Sequence, residues 1–416
     1  RTMNLPLGLA LFLAGLLATE GLLSPNVSRL SYGDLSQAQG SKAKRIAHEL
    51  AKRNMEFGFK LLKKLASRGS RQNIFFSPLS ISTAFSMLSL GAQDSTLEEI
   101  KQGFSFREMP ARDLHQGFYY LIRKLNQEKQ GTKLAVGNVL FLDQKLKLQR
   151  NFLRETKTMY EAETVPTNFQ DLEYTQKQIN SYVSQKTQGL INNLIRSIDP
   201  GTVMILANFI YFQARWQHRF DPKETREENF FVDKSKTVKV PMMFHGGMYD
   251  VGYDDQLSCT LLEIPYSGNI TATFVLPEEG KMKQLEEGLQ ANIFGRWKRL
   301  MSKRVVNVFV PRLHISGTYN LKNTLSQLGI SKIFEENGDL TRISPYRSLK
   351  VSEAVHKAEL KMDEKGTEGA AGSGAQTLPM ETPQNVKLNK PFLMMVYEKL
   401  TPSMIFLAKI VNPSGK

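Results

Sequence analysis

Apolar residues recur along this chain in two rhythms, every three to four positions or every second one, and one long stretch has almost nothing large to bury. From Lys42 to Ala66 the run KAKRIAHELAKRNMEFGFKLLKKLA places Phe57, Leu61 and Leu65 four apart with lysines between them. That spacing predicts an amphipathic helix docked on a core. NIFFSPLSISTAFSMLSLGAQDSTLEEI follows as a short strand, a Ser-Pro break and a helix whose small residues suit deep burial, with Pro78 in the first turn, where its missing N–H leaves no bond unmade. The runs 134–141 and 202–212 are long and mainly apolar and predict strands covered on both faces. LLEIPYSGNITATFVLP reads as two strands around a Ser-Gly-Asn turn, RVVNVFVPRLHIS as one strand and TYNLKNTLSQLGI as a helix. VSEAVHKAEL alternates like a strand, and KPFLMMVYEK and SMIFLAKIV close the chain as two more.

The exception is DEKGTEGAAGSGAQTLPMETPQN, residues 363–385. Gly, Ser and Ala in such proportion suit a flexible linker. The two strands that follow are too little for a core of their own and must pair with the body, so this segment is a loop held at both ends. Within it, the alternate positions Thr367, Gly369, Ala371, Ser373, Ala375 and Thr377 are all small, while the intervening set includes Glu368, Gln376 and Leu378. Successive strand residues face opposite ways, so the loop could enter a sheet with its small face inward and its polar face out. Its glycines weaken a strand, and composition alone leaves linker and latent strand balanced.

Composition is that of a globular protein, 41% hydrophobic and 23% charged. The apolar run from Met3 to Gly21 is short for a membrane span and predicts a cleavable secretory signal, which makes 1–21 a signal peptide with two preceding residues, 22–41 a mobile extension and 42–416 one domain. The sequons at Asn26 and Asn269 agree with secretion. A lone cysteine, Cys259, excludes an intrachain disulfide and reads as a buried structural thiol. The net charge of +15 favours an extracellular anionic partner, a glycosaminoglycan or anionic lipid surface, over nucleic acid.

No catalytic constellation stands out. The chain has no G-x-S-x-G elbow, HExxH pair, Walker loop or dinucleotide fingerprint, and one cysteine cannot make a CxxC zinc site. Neither an enzyme nor a cofactor is expected. His356 on its strand reads as a hydrogen-bonded structural residue able to hold a sheet closed.

HKAELKMDEKGTEGAAGSGAQ resembles the hinge of the serpins, the serine protease inhibitors that trap proteases by inserting a cleaved loop into a central sheet. NIFFSPLSISTAFSMLSLGAQ, ANFIYFQARWQHRF, LEIPYSGNITATFVLPEEG, PRLHISGTYNLKNTLSQLGISKIF and KPFLMMVYEKLTPSMIFLAKIVNP extend the resemblance, in order, over nearly the whole chain. It implies an α+β fold of three β-sheets and eight or nine helices, with a reactive loop at about 364–385. By position it makes Glu364, Gly366, Thr367, Glu368, Gly369, Ala370 and Ala371 the hinge, and Met380-Glu381 the scissile bond preceded by Leu378 and Pro379. Ser77, Ser80, Asn208 and His356 become the groups that control sheet opening, and Trp216 marks the top of the sheet. The Gly-containing hinge departs from the family's Ala-rich pattern at Gly369, Gly372 and Gly374. The resemblance also points to Arg123, Lys124, Lys129 and Lys133 as heparin candidates, and to a monomer whose partner is a chymotrypsin-like secreted protease.

Overall fold

The computed structural model describes residues 32–69, 71–127, 132–346, 348–366 and 383–415, with the side chains of 32–39, 133 and 135 left aside. Helix α1 (Tyr32–Ala66) begins at Tyr32 rather than Lys42, so residues 32–41 of the expected N-terminal extension are helical. Gln37, Ala38 and Gln39 are fair helix formers, while the glycines and serines that gave this segment its low-complexity look are not. The expected signal segment and the rest of the extension, Asn26 included, lie outside the described residues.

Two hydrogen-bonded sheets carry the fold, and nine α-helices occur among the described residues. The five-stranded sheet runs β10 (Leu313–Asn320), β11 (Glu353–Met362), β4 (Met204–Ala214), β2 (Thr132–Asp143), β3 (Glu163–Thr167). The second sheet includes β1 (Ile74–Phe76), β6 (Thr237–Asp254), β7 (Cys259–Pro265), β8 (Ile270–Pro277), β9 (Ser302–Pro311), β13 (Phe392–Glu398) and β14 (Ser403–Ile410). Where three sheets were expected, two are continuous through β6: it pairs with β9 over Met242–Val251 and with β7 over Asp250–Asp254. One long strand thus serves two groups of partners without a break in hydrogen bonding.

The run RVVNVFVPRLHIS is two strands, divided at Arg312 between β9 and β10. The helix expected from Thr318 starts only at Leu321, because Thr318–Asn320 stay in β10 and the Asn320 side chain accepts from Lys322 N–H as an N-cap. At the far end of the loop, β12 (Gln384–Lys387) pairs in parallel with β9, which anchors the 363–385 segment on its C-terminal side as the two-ended tether requires.

Helix α2 (Pro78–Ser89) is buried along its whole length and packs beneath β4, β2 and β14. Its run of serines and alanine allows that close approach. Helix α6 (Leu172–Lys186) covers the opposite face of the five-stranded sheet, its Ile179 and Val183 packing in one cluster with Ile205, Ala207, Phe209 and Val355. The middle strands are therefore covered on both sides, which explains the mainly apolar run of β4.

Candidate functional site

The site is the seam between β11 and β4. These strands are parallel and in register from Glu353↔Ile205 to Glu359↔Tyr211. There the ladder stops, although both strands continue: β11 stays paired to β10 as far as Met362↔Leu313, and β4 stays paired to β2 as far as Ala214↔Thr132. The sheet is closed at one end of this seam and parted at the other. On the inward side the seam is flanked by Ala354, His356 and Ala358 of one strand and Asn208 and Ile210 of the other, all buried.

A buried latch spans the closed part. His356 and Asn208 are register partners, and the imidazole Nδ1 lies 2.6 Å from Asn208 Oδ1. The Ser77 backbone N–H donates to Nε2 at 3.1 Å, so the neutral ring carries its proton on Nδ1 and donates it to Asn208. Asn208 Nδ2 donates in turn to Ser80 Oγ and to Asn138 Oδ1, each at 2.7 Å. Ser77 caps α2 by accepting from Ser80 N–H. One network thus ties β2, β4, β11 and the first turn of α2. The alternation that put His356 in a strand is correct, and the four residues grouped by resemblance do meet here.

Burial drives the His356 pKa down to about 3. The unfolded chain takes up this proton near pH 6.5 and the folded chain does not, so the stability that depends on neutral His356 is complete above pH 6.5 and is lost as pH falls from there toward 3. We expect the unfolding free energy to fall by roughly 1.4 kcal/mol per pH unit for this one group below pH 6. In a series of thermal or denaturant melts from pH 8 to 5, His356→Gln should flatten the profile. An equal slope in that variant would assign the proton uptake elsewhere.

At the parted end the chain leaves β11 through a tight turn. Gly366 N–H donates to Asp363 O at 3.0 Å, and Gly366 itself has φ +84°, a left-handed conformation that glycine adopts without strain. A Cβ there would lie 2.2 Å from Trp216 N. The turn sits directly on the residues that follow β4. Trp216 Nε1 donates to Asp363 O at 2.9 Å, while its ring stacks on Tyr266 with centroids 4.1 Å apart. Phe220 N–H donates to Glu364 O at 3.1 Å.

Glu364, 4% exposed, is clamped through its carboxylate by Arg312, whose Nε reaches both oxygens at 2.8 and 2.9 Å, and by the Thr225 hydroxyl at 2.6 Å. Burial pushes this carboxyl up, but the bonds from Arg312 and Thr225 outweigh it and hold the pKa below the ordinary carboxylate range. Gly366→Ala should therefore dislodge the turn, at upwards of about 2 kcal/mol of backbone strain and overlap. The emission of Trp216, one of two tryptophans in the chain, should shift. Unchanged emission and midpoint would mean the turn is not seated on Trp216.

Among the other expected residues, Thr367–Ala371, Leu378, Pro379, Met380 and Glu381 lie outside the described residues, as does Lys129; of Lys133 only the backbone in β2 is described. Arg123 and Lys124 are in the last turn of α4 (Ala111–Asn126). Lys124 does not present a free charge: 16% exposed, it lies 3.3 Å from the fully buried Glu398. Arg123 is exposed over the Tyr119 ring. Asn269 is half-buried in the turn between β7 and β8. Cys259 is buried and its thiol is pushed up to about 12, first by burial and then by Asp254, which makes it the inert structural group that was expected.

Sequence reasoning missed Arg312, Thr225, Asn138 and Tyr266. Asn138 alone left a signal, a single amide inside the apolar run LAVGNVLF.

A mixed sheet parted at one end, a latch of His, Asn and Ser across its closed end and a clamped hinge leading out of β11 define the class of protein. The family model described as Serpin (serine protease inhibitor) matches residues 52–413, and the chain belongs to that family. Serpin A12 of Rattus norvegicus is 66% identical, with 99% of this chain and 100% of that protein covered. Among solved structures, human thyroxine-binding globulin in complex with thyroxine is 38% identical with a TM-score of 0.84, covering 89% of this chain and 100% of that one. Mouse protein-Z dependent protease inhibitor is 29% identical with a TM-score of 0.84 over 89% of this chain and 99% of that one.

Proposed function

We propose that this chain is a secreted inhibitor that traps a chymotrypsin-like serine protease after being cut between Met380 and Glu381. The observation that carries this reading is the seam, parallel and zipped from Glu353 to Glu359, parted above, with the hinge leaving β11 at the parted end. A segment that follows β11 and turns back on it runs antiparallel to β11, and therefore also antiparallel to β4. Inserting it exchanges one parallel ladder for two antiparallel ones, and antiparallel pairing is the more stable per residue. Strand addition and release of stored strain drive such an insertion; serpin loop insertion is the standing example of both.

The chemistry before insertion is ordinary acyl transfer. The protease serine attacks the Met380 carbonyl, the peptide bond to Glu381 breaks, the new amine leaves with the C-terminal part, and Met380 stays esterified to the protease. Thr367 to Met380 then spans about 46 Å if extended at roughly 3.3 Å per residue, enough to run the length of β4. The tethered protease is carried to the far end of the sheet before water reaches the ester. Opening the seam requires parting His356 from Asn208, so the latch sets part of the barrier.

Met380 is unbranched and apolar, which suits a hydrophobic primary pocket and not an acidic one. Pro379 fixes the backbone ahead of the bond, and Glu381 selects against proteases with acidic or apolar ground on the leaving-group side. Incubation with chymotrypsin and a panel of secreted serine proteases, read on denaturing gels with mass mapping of the nick, should give a covalent complex and a cut after Met380. Cleavage without any complex would overturn the inhibitory reading.

The second reading is a non-inhibitory carrier or signalling protein, favoured by Gly369, Gly372 and Gly374, which slow insertion by raising its entropic cost. The likeness to a globulin that binds thyroxine supports it. Gly366, Thr367 and the small alternating face support inhibition instead. Secretion, sequon occupancy and binding of heparin by Arg123 with the 129–133 lysines belong to the same proposal. No helix among the described residues is long and apolar enough to cross a membrane.

A further inference from the structure

A cavity of about 580 Å³ opens between the end of α2, α3 (Asp94–Gly103), the start of α4 and α5 (Arg150–Tyr160). Its size falls within the roughly 300–1,000 Å³ of small-molecule sites. Two kinds of group line it. Leu90, Leu97, Leu114, Phe152 and Met159 form an apolar lining, of which Leu90, Leu97 and Met159 are only partly buried, so their remaining apolar surface is wet inside a concavity. At the rim stand Lys101, Arg112 and Arg342 against a single carboxylate, Glu155. Lys101 has an exposed partner in Glu98, whereas neither arginine makes an ion pair among the described residues.

One wall is held rigid by the side chains behind it. His115 lines the cavity and its Nδ1 lies 2.5 Å from the Tyr160 hydroxyl, which lies 2.8 Å from Ser86 Oγ on α2. Tyr160 is buried, and its ring meets both His115 and Phe118. The imidazole cannot swing inward to fill the space without breaking this chain. Burial lowers its pKa to about 4, so it adds no charge at neutral pH, and the positive field at the mouth comes from the arginines and Lys101. A pre-formed cavity, an apolar lining and unpaired guanidinium groups at the rim match one kind of ligand. Its tail must be apolar and its head a carboxylate able to take a forked guanidinium hydrogen bond.

We propose that this cavity binds a single-chain amphipathic carboxylate of the fatty-acid type, with the tail against Leu97, Phe152 and Met159 and the head at Arg112 and Arg342. The site is independent of the inhibitory reading, since it shares no residue with the hinge, the latch or the scissile bond.

The test is calorimetric titration of the full chain with dodecanoate below its micelle concentration, with dodecyltrimethylammonium as the opposite-charge control. One saturable site per chain is expected for the carboxylate, weakened on the order of tenfold or more in the Arg112→Glu/Arg342→Glu double variant. Both arginines are exposed, so the variant should keep the parent's thermal midpoint. As a second arm, dodecanoate carrying a terminal diazirine should label the unaltered protein within 89–116 or 149–159 on irradiation. No binding, equal binding of the trimethylammonium, undiminished affinity in the double variant or labelling confined to other segments would each overturn the proposal.

Discussion

Thr367→Arg is expected to convert the inhibitor into a substrate. The variant should still be cut after Met380, because the scissile bond lies far along the loop from position 367, but covalent complex should all but disappear. Thr367 opens the small-residue face of the loop, and the ground that face would cover is lined by Ala354, His356, Ala358 and Asn208. A guanidinium pressed against that surface has no carboxylate to meet there. An unpaired buried charge costs several kcal/mol. Even about 3 kcal/mol on the insertion barrier slows insertion on the order of a hundredfold, which hands the acyl-enzyme to hydrolysis. The check is the ratio of complex to cleaved chain on a denaturing gel. A ratio equal to the parent's would mean that position 367 does not enter the sheet on its small face.

Met380→Asp should have the second large effect, at an earlier step. A carboxylate offered to an apolar primary pocket loses its hydration without gaining a partner, which costs about 3 kcal/mol or more. The second-order rate of inhibition of chymotrypsin should fall on the order of a hundredfold or beyond, measured from progress curves. The thermal midpoint of the uncut variant should be unchanged. An unaltered rate would place the reactive bond elsewhere in the loop.

The two predictions separate recognition from insertion, and the same division governs what could be read from the sequence. Periodicity found β4, β11, α2 and the C-terminal pair because each buries a regular face: apolar on both sides in β4, alternating in β11, buried all round with interspersed small residues in α2. The start of α1 was misplaced because residues 32–41 include Gly33, Gly40, Ser36, Ser41 and Asp34, whose weak helix propensity argues against a helix there. Sheet number could not be read from the strands, since the merger depends on β6 changing partners along its length.

His356 was recognisable as a structural histidine, yet its partners lie 148 and 279 positions away, and no local pattern carries such distances. Arg312 gave no sign, since the sequence placed it inside a single strand, although it holds the hinge carboxylate. The central fact of the site, that the β11 and β4 ladder ends at Glu359 and Tyr211 while both strands run on, is a matter of register alone. The loop's small alternating face could suggest a latent strand; only the register locates the opening it could enter.

The most direct test of the account is a crystal structure of the chain after cleavage at Met380-Glu381. The account predicts a six-strand order in which residues from Thr367 onward lie antiparallel between β11 and β4, with His356 and Asn208 no longer hydrogen-bonded to each other. A cleaved molecule that keeps the Glu353–Glu359 ladder paired to Ile205–Tyr211, with the severed segment outside the sheet, would contradict it.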